Sequence, residues 1–239
     1  VVIGQGTVLT TRQCLLQPMR NPGLDQNGIE AMLKDHLGVR HVVWLGDGIL
    51  GDDTDGHVDD IARFTAPRTV VHARERKKGD PNHEPLENLA RSLKEARDQD
   101  GLAFDLAEIP MPDPVGGPTG RLPASYANFL IANGVVVLPV FNQAKDKSVL
   151  RTLEGLFPGR EVIGLDSRVL VWAWGPSTAC LNNSREPTAE SQEFVPGPDC
   201  RLQAPGCKLV LLMSIFKKSD VRGRFPEQIN EGTAVKLAA

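Results

Sequence analysis

The densest concentration of chemically capable side chains is the stretch Gly46–Asp60, GDGILGDDTDGHVDD, which holds six aspartates and one histidine. Like charges packed this closely repel and raise one another's pKa, so a fold keeps them together mainly where a cation compensates them. His57 and Asp59 are separated by one residue, and on an extended segment both side chains leave the same face and can meet one small ligand. A carboxylate grips a planar guanidinium through two parallel hydrogen bonds, and an imidazole beside it can shuttle protons near neutral pH. Two other readings of the same residues stay open. One is a solvated acidic loop with a capping histidine. The other is a hard-cation site, although Asp53-Thr54-Asp55-Gly56 carries only two of the three acidic ligands that an EF-hand loop places before its glycine, and no register puts a glutamate at the loop's last position.

The elements that must position this stretch follow an α/β pattern from residue 1 to about Trp172, with short β-branched runs alternating with amphipathic helical stretches. Gly6–Thr11 reads as a strand. Gly28–Leu37 places Ile29, Met32, Leu33 and Leu37 on one helical face, with Gly38 as its stop, and His41–Leu45 as a buried strand after it. Ile61–Phe64 and Thr69–His72 flank Pro67-Arg68 as a hairpin, Glu84–Arg97 is an amphipathic helix burying Leu86, Leu89, Ala90 and Leu93, and Phe104–Ile109 is a strand. The Pro/Gly-rich stretch Pro110–Pro123 reads as a long loop. Strands are expected at Tyr126–Ile131, Val135–Val140, Val162–Leu165 and Val169–Trp172, with a helix at Val149–Phe157. The succession of strand pair, helix and strand recurs at a period of roughly 60 to 70 residues, which predicts a supersecondary repeat closing like a propeller.

Bulk composition narrows the function classes. The 239 residues, 41% hydrophobic, suffice for one sizeable core. A net charge of −3 and 5% aromatic residues give no basic field for nucleic acid or an anionic membrane, so small-molecule chemistry fits better. No apolar run approaches the roughly 18 to 20 residues needed to cross a bilayer. The four cysteines, Cys14, Cys180, Cys200 and Cys207, form no CxxC pair, which predicts free thiols in a reduced cytoplasmic protein. The opening Val1-Val2-Ile3-Gly4 has no initiating Met and reads as a fragment with its start upstream. The oligomeric state is left open, a homo-oligomer included.

Four blocks carry a resemblance. Gly6–Pro22 (GTVLTTRQCLLQPMRNP), Asp52–Asp59 (DDTDGHVD), Ala124–Pro139 (ASYANFLIANGVVVLP) and Leu156–Arg168 (LFPGREVIGLDSR) resemble, in order and spacing, the agmatine deiminases, and less specifically the related Porphyromonas-type peptidylarginine deiminases. The resemblance covers residues 1 to about 172. It implies a pentein, five ββαβ modules around a pseudo-fivefold axis, of which this chain holds about three. It also implies hydrolysis of the agmatine guanidinium to N-carbamoylputrescine and ammonia, a step toward putrescine, through a covalent intermediate on a cysteine thiolate. Carried over, His57 matches the general acid/base and Asp59 a substrate-binding carboxylate; no cofactor or metal is implied. Cys14 matches a family cysteine in an apolar setting and reads as a buried structural thiol. Tyr126 and Asn128 read as packing and hydrogen bonding within the repeat, and His36, His41, His72 and His83 take no role.

The family's glycine-rich turn and nucleophile, G-G-G-N-I-H-C-[IL]-T-Q-Q, should follow the DSR segment, but the chain reads WAWGPSTACLNNSREP (Trp172–Pro187). Without a gap the nucleophile position falls on Ala179, and Cys180 is one residue late. Joining the last base of each codon to the first two of the next turns Trp172–Ala173 and Trp174–Gly175 into glycines. The same reading allows Ile-His-Cys from Pro176–Ala179 and Gln-Gln-Leu-Pro from Leu181–Arg185. The expected organisation is thus a partial pentein domain over 1–172 and an out-of-frame or disordered tail over 173–239. The alternative is a divergent terminus in which Cys180 serves as nucleophile after a one-residue adjustment. A peptidylarginine substrate and a non-catalytic polyamine-binding remnant remain as functional alternatives.

Overall fold

The computed structural model describes residues 1–2, 5–52, 55–117, 120–173, 216–217 and 220–221. The chain divides into two compact units, Val1–Pro176 and Ser177–Ala239. In the second, Phe216–Lys217 pairs antiparallel with Asp220–Val221.

In the first unit, β1 (Thr7–Thr11) is buried along its whole length and pairs in parallel with β2 (His41–Leu45), Thr7 opposite His41. A parallel pair needs a crossover. It is supplied by α1 (Arg12–Leu15), a single turn whose start is capped by the Thr11 hydroxyl, and by α2 (Gln26–Leu37). The carboxylate of Asp25 caps α2 by accepting from the Gly28 N–H at 2.8 Å, and Gly38 ends it at φ 64, a left-handed conformation that costs glycine least. A single antiparallel bridge, Val2 to Val8, flanks β1.

The next stretch repeats this plan with a full first strand. β3 (Ala62–Ala66) and β4 (Thr69–Arg74) form the expected antiparallel hairpin around Pro67-Arg68. Helix α3 (His83–Glu95) then crosses over, burying Leu86, Leu89 and Leu93 at the spacing read from the sequence, and β5 (Asp105–Pro110) returns parallel to β4. After a small ladder of β6 (Gly116–Gly117) and β7 (Gly120–Arg121), the unit recurs as β8 (Leu130–Ala132), β9 (Val135–Val140), α4 (Asp146–Leu156) and β10 (Glu161–Asp166). Its sheet order, β10-β9-β8, mirrors β3-β4-β5, with one antiparallel and one parallel neighbour for the middle strand. The ββαβ repeat is therefore present, complete twice and once with its first strand reduced to the Val2 bridge. Among the described residues the sheets are separate and close no barrel.

Four expectations change. Val169–Trp172 is not a strand but lies in α5 (Arg168–Ala173). Asp166 accepts from the Arg168 N–H and the Ser167 carbonyl takes the Val171 N–H at 2.9 Å, so an Asp-Ser start overrides the β-branched composition. Of Tyr126–Ile131 only Leu130 and Ile131 join a strand, because the Ser125 hydroxyl accepts from the Ala127 N–H at 3.1 Å and turns the chain there. The loop Pro110–Pro123 carries the β6–β7 ladder. On α2 only Ile29 is buried; Met32 and Leu37 are 47% and 52% exposed, so the apolar face is half covered.

Among the described residues three apolar clusters hold the unit together, two larger ones and a small one of Val8, Val39 and Val42. The first joins β1 to β4 and α3 through Leu9, Leu45, Ile61, Phe64, Leu86 and Leu93. The second gathers Tyr126, Phe129, Leu138, Phe141, Leu153 and Phe157. Each fully buried Leu or Phe side chain contributes about 1.5–3 kcal/mol. Between β2 and β3, Ile49 and Ile61 anchor the described parts of the Gly46–Ile61 segment in the first cluster. Among the described residues no helix is long and apolar enough to cross a membrane.

Candidate active site

His57 and Asp59 do come together, but not by strand alternation. Val58–Asp60 is a turn of 3₁₀ helix with His57 at its start in extended conformation (φ −60, ψ 135), so the predicted extended segment is corrected. Curling the chain brings His57 Nδ1 to 3.8 Å from Asp59 Oδ1, with the two side chains 27% and 20% exposed. Both therefore reach solvent from a half-buried position, where a charge-assisted contact to a ligand is screened less than on an open surface.

The loop that presents them is clamped at its neck. The Gln13 carboxamide oxygen accepts from the Gly48 N–H at 2.9 Å, and the Thr11 hydroxyl donates to the Gly56 carbonyl at 2.5 Å. Gly48 and Gly56 lie so close that a Cβ on Gly48 would overlap the Gly56 Cα, and Gly56 also holds φ +76. Farther out, the Leu50 N–H donates to Asn82 Oδ1 at 2.7 Å, and two residues before Asn82 a half-buried ion pair joins Asp80 to Arg121 at 2.7 Å. Asp52 accepts from the His57 N–H at 2.8 Å.

Among the described residues the acidic side chains of the loop do not converge on one point. Asp47 is exposed, Asp52 caps His57, and Asp55 sits at φ 65. Asp59 faces His57, and Asp53 lies outside the described residues. Asp60 is different in kind. It is 6% exposed and accepts from Asn128 Nδ2 at 2.9 Å, while its backbone carbonyl accepts from the Ser125 hydroxyl at 2.6 Å. Burial first, then the neighbouring Asp59 and Asp52, hold its carboxyl well above the usual carboxylate range. Arg63 lies over the Phe129 ring at 5.0 Å and donates from Nη1 to the Phe129 carbonyl at 2.9 Å; burial lowers its pKa, against the pull of Asp59 and Asp60.

The raised Asp60 carboxyl carries a stability consequence. The folded chain keeps the Asp60 proton to higher pH than the unfolded chain does. Asp60 thus costs nothing below the ordinary carboxyl value of 3.8, and its penalty grows as pH rises from there to the raised folded value. Asp60→Asn, whose amide oxygen still accepts from Asn128, is expected to match the wild type in thermal midpoint at the acid end and to exceed it toward neutrality. Thermal unfolding followed across that range checks this; a midpoint difference independent of pH contradicts it.

Cys14 is buried, as read from the sequence, and burial pushes its thiol up, which disfavours the nucleophilic thiolate. Cys180 lies outside the described residues. Tyr126 donates to Asp146 at 2.5 Å inside its own repeat, as expected, whereas Asn128 reaches out of its repeat to Asp60. His72 is buried with its pKa lowered by burial, and His83 Nδ1 contacts the Glu75 carbonyl at 2.7 Å. The sequence reading missed Gln13, Asn82 and Arg121 as supports of the loop. Only the glycines at 48, 51 and 56 signalled that something approached it closely. Two surface depressions, one beside Arg12 and Trp44 and one beside Arg74 and Lys145, are lined by neither His57 nor Asp59.

Comparison with known proteins adds to this geometry. The family described as Porphyromonas-type peptidyl-arginine deiminase matches residues 2–182. An agmatine deiminase of Pseudomonas putida is 38% identical over 202 residues, covering 77% of this chain and 55% of the relative. Among solved structures, a Porphyromonas gingivalis chain provisionally named arginine deiminase superposes with a TM-score of 0.70 at 45% identity, over 72% of this chain and 51% of that one. The agmatine deiminase of Enterococcus faecalis superposes with a TM-score of 0.68 at 34% identity, over 73% and 52%. The chain spans about half the length of the curated relatives it matches.

Proposed function

Because the chain belongs to the Porphyromonas-type peptidyl-arginine deiminase family, we propose that it serves the hydrolysis of a guanidinium group, with agmatine as the substrate and N-carbamoylputrescine and ammonia as products. The observation that carries this reading is the His57–Asp59 pair, an imidazole 3.8 Å from a carboxylate on one clamped turn. Agmatine is preferred to peptidylarginine because the curated relatives at 35–38% identity carry the agmatine deiminase name. The three ββαβ repeats are, on this reading, three of the five modules of a pentein propeller, and the setting is the cytoplasm.

In the proposed reaction the Asp59 carboxylate takes the guanidinium and fixes its plane. A cysteine thiolate forms a bond to the guanidinium carbon. The C–N bond to one nitrogen then breaks, and that nitrogen leaves as ammonia with a proton from His57. Water, giving one proton back to His57, attacks the thiouronium carbon; the S–C bond then breaks with its electron pair returning to sulfur as the thiolate, and the hydroxyl's remaining proton passes to solvent as the carbamoyl product leaves. Cys180 is the proposed nucleophile and falls inside the matched stretch. The frame change near Trp172 expected from the sequence, with residues 173–239 as an out-of-frame tail, is the account of that region under which Cys180 is not the nucleophile. Ammonia release from agmatine and from a peptidylarginine substrate, each with and without Cys180→Ala, tests the proposal. Turnover of agmatine that Cys180→Ala abolishes is expected. Agmatine binding without turnover, together with coding DNA that places the Ile-His-Cys turn in another frame, would replace the enzyme by a polyamine-binding remnant.

A further inference from the structure

We propose that Asn128 is a positioning residue for the His57–Asp59 pair, fastening the turn that carries both to the β8–β10 repeat. The turn has little of its own to hold it. Inside Val58–Asp60 the backbone bonds are Asp60 N–H to His57 carbonyl at 3.3 Å and Ile61 N–H to Val58 carbonyl at 3.0 Å, and one 3₁₀ turn is a weak element. Its orientation is therefore set from outside. The near side is supplied by Thr11, Gln13 and Asp52.

The far side comes from a single short segment. Ser125 takes hold of the Asp60 carbonyl, Asn128 of the Asp60 carboxyl, and the Phe129 carbonyl and ring of the Arg63 guanidinium. This is the segment that gives up strand geometry to turn, so the departure from the repeat and the reach to the site are one event. An amide suits the task. It offers an N–H to a buried carboxyl without adding a second charge, and a buried acceptor left without a donor is costly. Fixing Asp60 inward at 6% exposure also leaves Asp59 as the carboxyl of the pair that faces a ligand.

Part of the test rests on the proposed substrate, and its readouts are chosen to separate the two ideas. Asn128→Leu removes the donor at similar volume. The double variant Asp60→Asn with Asn128→Asp puts the donor on the other side and restores the bond in reverse. The full chain is followed by the His57 ring Cε1–H signal in NMR, assigned by its loss in His57→Gln, by the thermal midpoint, and by the agmatine Kd from calorimetry. Asn128→Leu is expected to displace the His57 signal and to weaken the Kd about tenfold, the reversed pair to return the signal and to bring the Kd back to within about twofold of wild type. A fall in thermal midpoint with the signal unmoved overturns the proposal, as does a reversed pair that recovers stability without the signal. If the unaltered chain binds no agmatine, the substrate reading fails and the His57 signal alone decides. Should Asn128→Leu not fold, the decision passes to the reversed pair, whose folding with a displaced His57 signal also overturns the proposal.

Discussion

His57→Gln is expected to lower agmatine turnover by about 10²–10⁴-fold while leaving agmatine affinity within about threefold of wild type. In the proposed reaction the imidazole acts only as protons move, first to the leaving ammonia and then from the attacking water. Glutamine keeps a polar side chain of similar reach but cannot exchange a proton near neutral pH. Asp59→Asn is expected to behave in the opposite sense. The amide cannot match the guanidinium fork with two acceptors, so binding weakens before chemistry is reached. Steady-state kinetics with agmatine, paired with direct binding of agmatine to each variant, separates the two roles. Equal losses of affinity in both variants would show that the pair acts as one electrostatic anchor, and the division of labour would be wrong.

Phe129→Ala is the substitution expected to cost the most stability, about 3–5 kcal/mol. Phe129 is 1% exposed and meets Phe157 edge to face at 5.6 Å, so truncation opens a cavity in the second apolar cluster. It also removes the ring beneath the Arg63 guanidinium, which is already half-buried with Nε unpaired. Chemical denaturation reads the loss directly. Leu153→Ala, fully buried in the same cluster but without Arg63 above it, is the control. If the two cost the same, the cation–ring contact contributes nothing measurable.

Much of this architecture was written in local patterns. Helix α3 announced itself by Leu86, Leu89 and Leu93 at helical spacing, β2 by four apolar residues in a row after His41, and the β3–β4 hairpin by Pro67 between two apolar runs. The approach of His57 to Asp59 was also legible, since two residues one apart meet either on a strand face or on a tight turn. Which of the two it would be was not. Val58-Asp59-Asp60 has no periodicity to distinguish them, and the choice is made by Asp52, Ser125 and Asn128.

Where the reading failed, short β-branched runs misled it. Val169–Val171 has the composition of a strand and becomes helix because Asp166 and Ser167 start one. Tyr126–Phe129 has the aromatic content of a strand and turns because the Ser125 side chain competes with the ladder. Asn128 was assigned to its own repeat because hydrogen-bond partners of a lone asparagine carry no sequence signature. Its partner at Asp60 lies 68 residues away, and only the folded chain names it.

That separation bears on the order in which the chain assembles. Each ββαβ repeat closes its ladders within a few tens of residues, so each can condense on its own at little loop-closure cost. The links from Ser125, Phe129 and Asn128 span 65, 66 and 68 residues and can form only once two finished repeats meet. Ladder amides of β4 and β9 should therefore be the last to exchange with deuterium, and the amides of the Val58–Asp60 turn should open with the docking of the repeats rather than with their melting. Folding the scaffold and completing the His57–Asp59 geometry are two transitions, and a substitution can spare the first while undoing the second.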